Sequence, residues 1–255
     1  MIQPPIPSYE RILLYGSPGT GKSTSWLDIA RTYQLTHTPG VFHVLDTDST
    51  TARMVASSYS NLTNLNIHEA YDWPEYRQYT AQFHAIAKPE DWIIIDQVSS
   101  AWQALQRYFT NEVFHQDMGA YFLAARKAMS EGDKKLKTFQ GWTDWTVINA
   151  MYLDWIQPLI LRPKCNLLAT AVAEVVNDET DEKSSKAIFA RFGYKPGGQK
   201  HLGYQFHTVL LTSYDPIRRW SVSTPKDRER TILEGQPITS FTRDYLMGVA
   251  GWTVI

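Results

Sequence analysis

The residues whose types and spacing most clearly indicate a chemical function are Gly16-Ser-Pro-Gly-Thr-Gly-Lys-Ser23. Their types and spacing fit G-x-x-x-x-G-K-[ST], a loop that binds phosphate. Glycines let the backbone curl until successive N–H groups point at phosphate oxygens, and the following helix adds partial positive charge at its N-terminus. In such a loop Lys22 contacts the outer phosphates and the Ser23 hydroxyl binds Mg²⁺. The pattern therefore predicts a site for ATP and Mg²⁺.

The sequence on either side of the loop supports this interpretation. An apolar run at residues 12–15 predicts a buried strand, and residues 23–30 predict a helix, which gives the strand–loop–helix context of the motif. A chance glycine-rich turn before a helix is the alternative, and the filled motif positions count against it. The nucleotide-binding residues that we expect are Gly16, Ser17, Pro18, Gly19, Thr20, Gly21, Lys22, Ser23 and Thr24.

A second candidate group closes another apolar run, Trp92-Ile-Ile-Ile-Asp96. A buried strand that ends in an acid matches the Walker B strand, whose aspartate lies on the Mg²⁺ side of a nucleotide site. Asp96 would hold Mg²⁺ through a water molecule, whereas Ser23 would bind the ion directly. The alternative is a buried strand that happens to end in Asp, and the upstream phosphate loop counts against it.

Two further acids, Asp46 and Asp48, follow the β-branched and aromatic run at residues 41–45, which predicts a strand. Ligands of open α/β sheets bind at the carboxyl ends of the strands. Either carboxylate could therefore polarise the water that attacks the terminal phosphate. The competing role is N-capping of a short helix predicted over residues 50–60, by Asp48 or by Ser49.

The composition argues against several other classes of protein. The 255 residues carry 25 Lys and Arg against 26 Asp and Glu, so any nucleic-acid binding needs a local patch. The single cysteine, Cys165, excludes an internal disulfide and a multi-cysteine zinc site, and the histidines show no ligand spacing. Residues 1–5 do not resemble a signal peptide and no stretch approaches a membrane span, so we expect a cytoplasmic protein with no membrane partner.

A local basic patch is present in residues 177–201, a long polar stretch that we expect to be a mobile, functional loop. Its basic residues alternate with Phe189, Phe192 and Tyr194, which is the composition of a grip on single-stranded DNA. A solvated loop is the alternative, because four acids stand at its start. The DNA-binding residues that we expect are Lys183, Lys186, Arg191, Lys195 and Lys200. A weaker second patch comprises Lys134, Lys135 and Lys137.

Two details relate these motifs to a known family. Gln97 follows Asp96, whereas the AAA+ and helicase superfamilies usually place a water-activating Glu there. Asp48 instead resembles, with a shorter side chain, the catalytic Glu that follows strand two in the RecA/recombinase family. The other segments similar to that family are Ile95-Asp-Gln-Val-Ser-Ser-Ala101, Gly197-Gly198, Phe206-His-Thr-Val-Leu-Leu211 and Thr224-Pro-Lys-Asp-Arg228.

The resemblance covers residues 11–230 and implies an α/β fold with a RecA-like P-loop core. Its sheet would be mostly parallel and twisted, with helices on both faces and an antiparallel C-terminal edge. We expect residues 1–255 to form one domain, which begins with an extended lead-in at residues 1–10. Thr170, on a strand predicted over residues 166–172, is either a sensor of the γ-phosphate or an ordinary core threonine.

The same resemblance implies a mechanism and partners. In that family a late basic pair reaches across a subunit interface to the γ-phosphate of the neighbour, which implies a homo-oligomer with ATP at its interfaces. The catalytic residues implied are Lys22, Asp48, Asp96, Lys226 and Arg228.

The compact chain is most similar to phage-encoded RecA-like ATPases, the phage nucleotide-binding proteins, which include single-strand annealing recombinases. We therefore expect an ATP-dependent DNA-binding protein of phage recombination or annealing, located in the host cytoplasm, with a phage single-strand-binding protein as a candidate partner. The alternatives are a helicase loader or packaging-type motor, a nucleotide-gated binding module with negligible turnover, and, less favoured, a small-molecule kinase.

Overall fold

The computed structural model of the chain describes residues 9–130, 141–176, 187–216 and 219–228. The predicted second lysine patch, the basic residues Lys183 and Lys186, and nearly all of the predicted lead-in lie outside these residues. No helix in the described part of the chain is both long and apolar enough to cross a lipid bilayer.

Helices and strands alternate along the chain, as the sequence predicts for an α/β fold. The strands are β1 (Arg11–Gly16), β2 (Phe42–Asp46), β3 (Leu65–Glu69), β4 (Trp92–Asp96), β5 (Asn166–Val175), β6 (Tyr194–Pro196), β7 (Thr208–Asp215) and β8 (Arg219–Asp227). The helices are α1 (Lys22–Leu35), α2 (Thr50–Ser58), α3 (Trp73–Ile86), α4 (Val98–Phe114), α5 (Met118–Ser130), α6 (Gly141–Leu161), α7 (Ala187–Ala190) and α8 (Leu202–Gln205).

Seven of the strands in the described residues follow the order β3-β2-β4-β5-β1-β7-β8, and β6 pairs with the end of β5. All neighbours from β3 to β7 are parallel, whereas β8 runs antiparallel to β7 and β6 antiparallel to β5. The predicted fold class, a mostly parallel sheet with an antiparallel C-terminal edge, is confirmed.

Helices cover both faces of this sheet. Alternate residues of a strand point to opposite faces, so Leu13 and Tyr15 of β1 pack with α3, α4 and α6, while Ile12 and Leu14 pack with α1. Strands β1, β2 and β4 are buried along nearly their whole length, which is typical of parallel strands covered on both faces.

The register of the parallel strands brings the predicted site residues to one edge. Asp46 at the end of β2 lies opposite Asp96 at the end of β4, and Gly16 at the end of β1 lies opposite Val172 and Thr212. The phosphate loop therefore leaves the sheet at the same carboxyl edge as the two acids.

The second half of the predicted mobile loop is more regular than expected. Residues 187–190 form α7, and β6 pairs in antiparallel fashion with Ala173–Val175 of β5. Phe189 is 3% exposed and packs edge-on against Tyr15, so this ring belongs to the core and is not available to stack on a base. The segment is polar overall, but its few apolar residues, such as Phe189, pack against the sheet and hold residues 187–196 in place.

Candidate nucleotide-binding site

The loop between β1 and α1 has the curled backbone that phosphate binding requires. Gly19 and Gly21 have φ angles of 77° and 88°, the left-handed region that glycine adopts without strain. The Thr20 hydroxyl donates to the carbonyl of Ser17 at 2.7 Å and lies 2.9 Å from the hydroxyl of Thr212 on β7. The loop is thus held both by its own hydrogen bonds and by a neighbouring strand.

The ammonium group of Lys22 lies inside this curl. Its Nζ donates to the carbonyl oxygens of Gly16 at 2.9 Å and Ser17 at 3.0 Å, and the residue is 7% exposed. Burial lowers the pKa of Lys22, while the carboxylates of Asp96 and Asp48 act in the opposite direction. A buried cation whose hydrogen bonds go to neutral carbonyls can exchange them for the stronger ones to phosphate oxygens.

The carboxylate of Asp96 is 1% exposed and is fixed by two donors from different elements. The indole N–H of Trp26 on α1 donates to its Oδ2 at 3.0 Å, and the hydroxyl of Thr170 on β5 donates to its Oδ1. A carboxylate has about four acceptor positions, so these two bonds leave room for a water molecule. Thr170, for which the sequence left two roles open, is fully buried and its hydroxyl binds the predicted Mg²⁺-side acid, so both roles stay predictions.

The structure separates the two candidate bases on β2. Asp46 is fully buried, and its oxygens accept the backbone N–H groups of Asp48 at 3.3 Å and of Thr51 at 3.0 Å, so this residue fixes the turn into α2. Burial is the main cause of its raised pKa. Asp48 is exposed, and its Oδ1 accepts from the backbone N–H and the hydroxyl of Thr50. Helix capping is therefore shared by both acids, and Ser49 makes no capping bond through its side chain.

The ends of β2 and β4 are joined beyond the last sheet pair. The backbone N–H of Thr47 donates to the carbonyl of Asp96 at 2.8 Å, and the N–H of Gln97 donates to the Thr47 hydroxyl at 2.7 Å. The side-chain amide of Gln97 lies 3.5 Å from Oδ2 of Asp48. These contacts hold the exposed acid beside the Walker B acid.

The predicted core of the site therefore occupies one place. In addition to burial, the carboxylates of Asp48 and Asp96 raise the pKa of Asp46, and they oppose the lowering of the pKa of Lys22 by burial. Ser23 and Thr24 lie in the first turn of α1, next to Lys22. Trp26 and Thr212 also contact the predicted site residues but are not part of the sequence motifs. Trp26 lies one turn after the phosphate-loop motif on α1, which is a signal in the sequence, whereas Thr212 carries none.

A family model described as an AAA domain matches residues 8–244. The chain belongs to this AAA domain family. No curated protein matches the chain. Among solved structures, the chain is similar to the crystal structure of the RadB recombinase, with a TM-score of 0.48 and 10% identity over 87% of this chain and 83% of that chain.

The family match confirms the coarser part of the sequence-based expectation, a P-loop NTPase, whereas the RecA-like assignment stays a prediction. Gln97 follows Asp96 in this AAA domain, at the position where the AAA+ superfamily usually has a water-activating Glu. The narrower assignment to phage annealing proteins stays a prediction.

The donor set at the sheet edge fits magnesium bound together with a nucleotide. No group of three or more His, Cys, Asp or Glu side chains within the described residues could hold a metal by itself. Mg²⁺ usually keeps several waters and binds through one or two protein groups plus substrate phosphates. The Ser23 hydroxyl and Asp96, through water, would be such groups if the site binds a nucleotide with Mg²⁺.

The two late basic residues of the AAA domain differ in their surroundings. Nζ of Lys226 donates to the carbonyls of Gly203 at 3.1 Å, Tyr204 at 3.0 Å and Phe206, at the C-terminal end of α8. Burial, with a smaller contribution from Arg228, lowers the pKa of Lys226 to about 8. Arg228 is exposed at the end of β8. Lys226 thus has partners within its own chain that the sequence did not indicate.

The described part of the basic segment lies beside the nucleotide site. Arg191 and Lys200 are exposed and Lys195 is half-buried on β6. The phenol of Tyr15, the residue before the phosphate loop, donates to the carbonyl of Tyr194 at 3.0 Å. The backbone N–H of Gly197 donates to the carbonyl of Val172, which lies opposite Gly16. The segment and the loop are therefore connected through β1 and β5.

Proposed function

We propose that this AAA domain is an ATP-hydrolysing, DNA-binding protein that acts in phage DNA recombination or single-strand annealing. The observation that carries the proposal is the convergence of Lys22, Asp48 and Asp96 at one sheet edge, beside a glycine loop curled for phosphate. The phage context comes from the resemblance of the motifs, and the ATPase chemistry from the site.

The loop and its lysine would bind the phosphates of ATP. The glycine backbone directs N–H groups at phosphate oxygens, and Lys22 would exchange its bonds to Gly16 and Ser17 for bonds to the outer phosphates. Ser23 and Asp96 would hold Mg²⁺, which neutralises charge that develops on the phosphates during transfer.

Asp48 is the carboxylate that we assign to the attacking water. It is exposed at the strand end, whereas both oxygens of Asp46 are committed to backbone N–H groups. A general base must reach the proton that it accepts, directly or through one water. The amide of Gln97 at 3.5 Å would orient this carboxylate.

Single-stranded DNA is the partner that the basic segment suits best. Arg191, Lys195 and Lys200 supply positive charge in the described residues, and Lys183 and Lys186 would add to it. Binding by basic side chains to a single strand releases counterions and therefore weakens steeply with salt. The bond between Tyr15 and Tyr194 gives a direct route by which DNA on this segment could alter the phosphate loop.

A second subunit would complete the site. A basic residue supplied in trans can raise the rate of phosphoryl transfer by about 10³–10⁵. Of the two residues proposed for this role, Arg228 is exposed, whereas Lys226 is bound to three carbonyls of its own chain. We therefore favour Arg228, with Lys226 as a support for the α8 end.

Two alternatives make different use of the same site. A helicase loader or packaging-type motor would also hydrolyse ATP but would act with a protein partner or on duplex DNA. A nucleotide-gated module would bind ATP with negligible turnover, which the short side chain of Asp48 and the Gln97 after Asp96 favour.

The ATPase rate with and without single-stranded DNA, measured over a range of protein concentration, separates these functions. The proposal expects slow basal hydrolysis. The turnover number per chain should rise with protein concentration and rise further with single-stranded DNA. Duplex-specific stimulation would favour the motor. A rate that stays at background under every condition, with normal ATP binding, would favour the binding module.

A further inference from the structure

The β7–β8 hairpin carries two exposed aromatic side chains at the edge of the phosphate loop. Tyr214 and Trp220 lie opposite each other in the antiparallel register, with ring centroids 5.3 Å apart. They are 46% and 49% exposed. Large aromatic groups that are half exposed side by side are available to bind a flat ligand.

The indole of Trp220 is held against the loop by its pyrrole edge. Its Nε1 donates to the carbonyl oxygen of Gly19 at 3.4 Å, and a Cβ built on Gly21 would lie 3.4 Å from its Cδ1. These two glycines are the loop positions with left-handed φ angles. The contact fixes the ring next to the phosphate cradle while half of the side chain stays exposed.

The pleat of β8 explains why this ring lies over the loop. Side chains two residues apart on a strand share a face, so Trp220 projects from the same face as Val222. Val222 is 5% exposed and packs with Trp26 and Leu27 of α1. Trp220 lies two residues closer to the hairpin tip than Val222. Val222 therefore packs against α1, and Trp220, on the same face, packs against the loop that precedes α1.

We propose that Trp220, with Tyr214 beside it, is the stacking platform for the base of the bound nucleotide. This inference rests on the proposed function and names the part of the ligand that the phosphate loop does not bind. The acids Asp48 and Asp96 lie towards β2 and β4, whereas Trp220 lies towards β7, on the other side of β1. A nucleotide with its terminal phosphate near the acids would extend its base towards the hairpin.

Stacking also determines which nucleotides the platform accepts. Every base has a π-face, and larger ring systems offer more area, so stacking favours purines and tolerates both of them. The hydroxyls of Ser213 and Ser221 bond to each other at 2.7 Å on the opposite face of the hairpin, and they do not read a base on this face. The ligand class is therefore a purine nucleoside triphosphate, with weak discrimination between ATP and GTP.

The test compares a ligand that has a base with one that lacks it. Binding of ATP, GTP and inorganic tripolyphosphate, each with Mg²⁺, is measured by calorimetry on the wild-type chain and on Trp220→Ala, Trp220→Phe and Trp145→Ala. Trp145 is a matched control because it is 40% exposed on α6, where it packs on Trp102.

We expect Trp220→Ala to weaken ATP and GTP by about ten- to a hundredfold and to leave tripolyphosphate within about twofold, the size of one lost base stack. Trp220→Phe should keep most of the affinity, and Trp145→Ala should change nothing. Equal loss for tripolyphosphate would overturn the inference, because Trp220 would then shape the loop alone. A preference for ATP over GTP above a hundredfold would also contradict it. If the wild type binds ATP normally and Trp220→Ala does too, only this inference fails, whereas a wild type that binds none of the three ligands removes the proposed function as well.

Discussion

The indole N–H of Trp26 donates to Oδ2 of Asp96 at 3.0 Å, with both side chains buried. This bond joins the helix that follows the phosphate loop to the strand that carries the Walker B acid. Because the carboxylate is held from α1, a shift of the loop and its helix would also move Asp96, the proposed Mg²⁺-side acid. Groups that donate hydrogen bonds to a metal-binding carboxylate set the orientation and basicity of that carboxylate.

Replacing Trp26 by Phe should therefore weaken the use of Mg²⁺ more than it weakens the fold. We expect the Mg²⁺ concentration needed for half-maximal ATP hydrolysis to rise about tenfold, as for the loss of other outer partners of metal ligands. Trp92→Phe is the matched control, because Trp92 is fully buried in the same cluster. Equal Mg²⁺ dependence in the two variants would show that Trp26 only fills space.

Asp48 and Asp46 should respond differently to loss of charge. Asp48→Asn should leave ATP binding intact and reduce turnover by about 10²–10⁴-fold, the usual contribution of a general base. Asp46→Asn should keep turnover and lower the free energy of unfolding by about 1 kcal/mol, because the amide can accept only one of the two backbone N–H groups. Single-turnover kinetics and chemical denaturation measure the two effects, and the reverse pattern would assign the base to Asp46.

Tyr15→Phe should separate nucleotide binding from its response to DNA. The variant loses the bond to the carbonyl of Tyr194, so we expect ATP affinity within about twofold of wild type and a smaller stimulation of hydrolysis by single-stranded DNA. The stability cost should be about 1 kcal/mol. Tyr152→Phe provides the control, since Tyr152 is fully buried and its hydroxyl has no hydrogen-bond partner in the described part of the chain. Normal DNA stimulation in Tyr15→Phe would rule out this route of coupling.

Three basic residues of the described segment should account for part of the salt dependence of DNA binding. Replacing Arg191, Lys195 and Lys200 by Ala should lower affinity for single-stranded DNA and reduce the slope of log K against log salt by about 2, since each phosphate contact contributes about 0.7. The control replaces three exposed basic residues at the opposite edge of the sheet: Lys88, Arg162 and Lys164. If the slope of log K against log salt falls equally in both triple variants, binding depends on overall charge and the segment has no special role.

Local sequence was sufficient for the elements and for the motif residues, because both depend on short patterns. The apolar runs before Gly16 and Asp96 predict buried strands, and parallel strands bring their carboxyl ends to one edge. Where the prediction fell short, a partner distant in sequence decides the outcome. The structure of residues 187–196 depends on β5, and the environment of Lys226 depends on carbonyls about 20 residues away.

The distinction between Asp46 and Asp48 was also beyond the sequence. Both acids can cap a helix or activate water, and their spacing suits either role. Only the burial of Asp46 and the positions of two backbone N–H groups commit it to the turn. Similarly, nothing in the composition of β8 indicates that Trp220 contacts Gly19, because the hairpin must first be folded against β1.

Calorimetric titration of ATP and Mg²⁺ into the wild-type chain, Lys22→Ala and Lys88→Ala tests the proposed nucleotide site most directly. Lys88 is an exposed lysine at the far edge of the sheet. We predict one site per chain in the wild type and in Lys88→Ala, and an affinity about a hundredfold lower in Lys22→Ala, because charge-assisted bonds to phosphate are lost. Equal affinity in all three chains would contradict the proposal that a triphosphate binds between the glycine loop and the acids of β2 and β4.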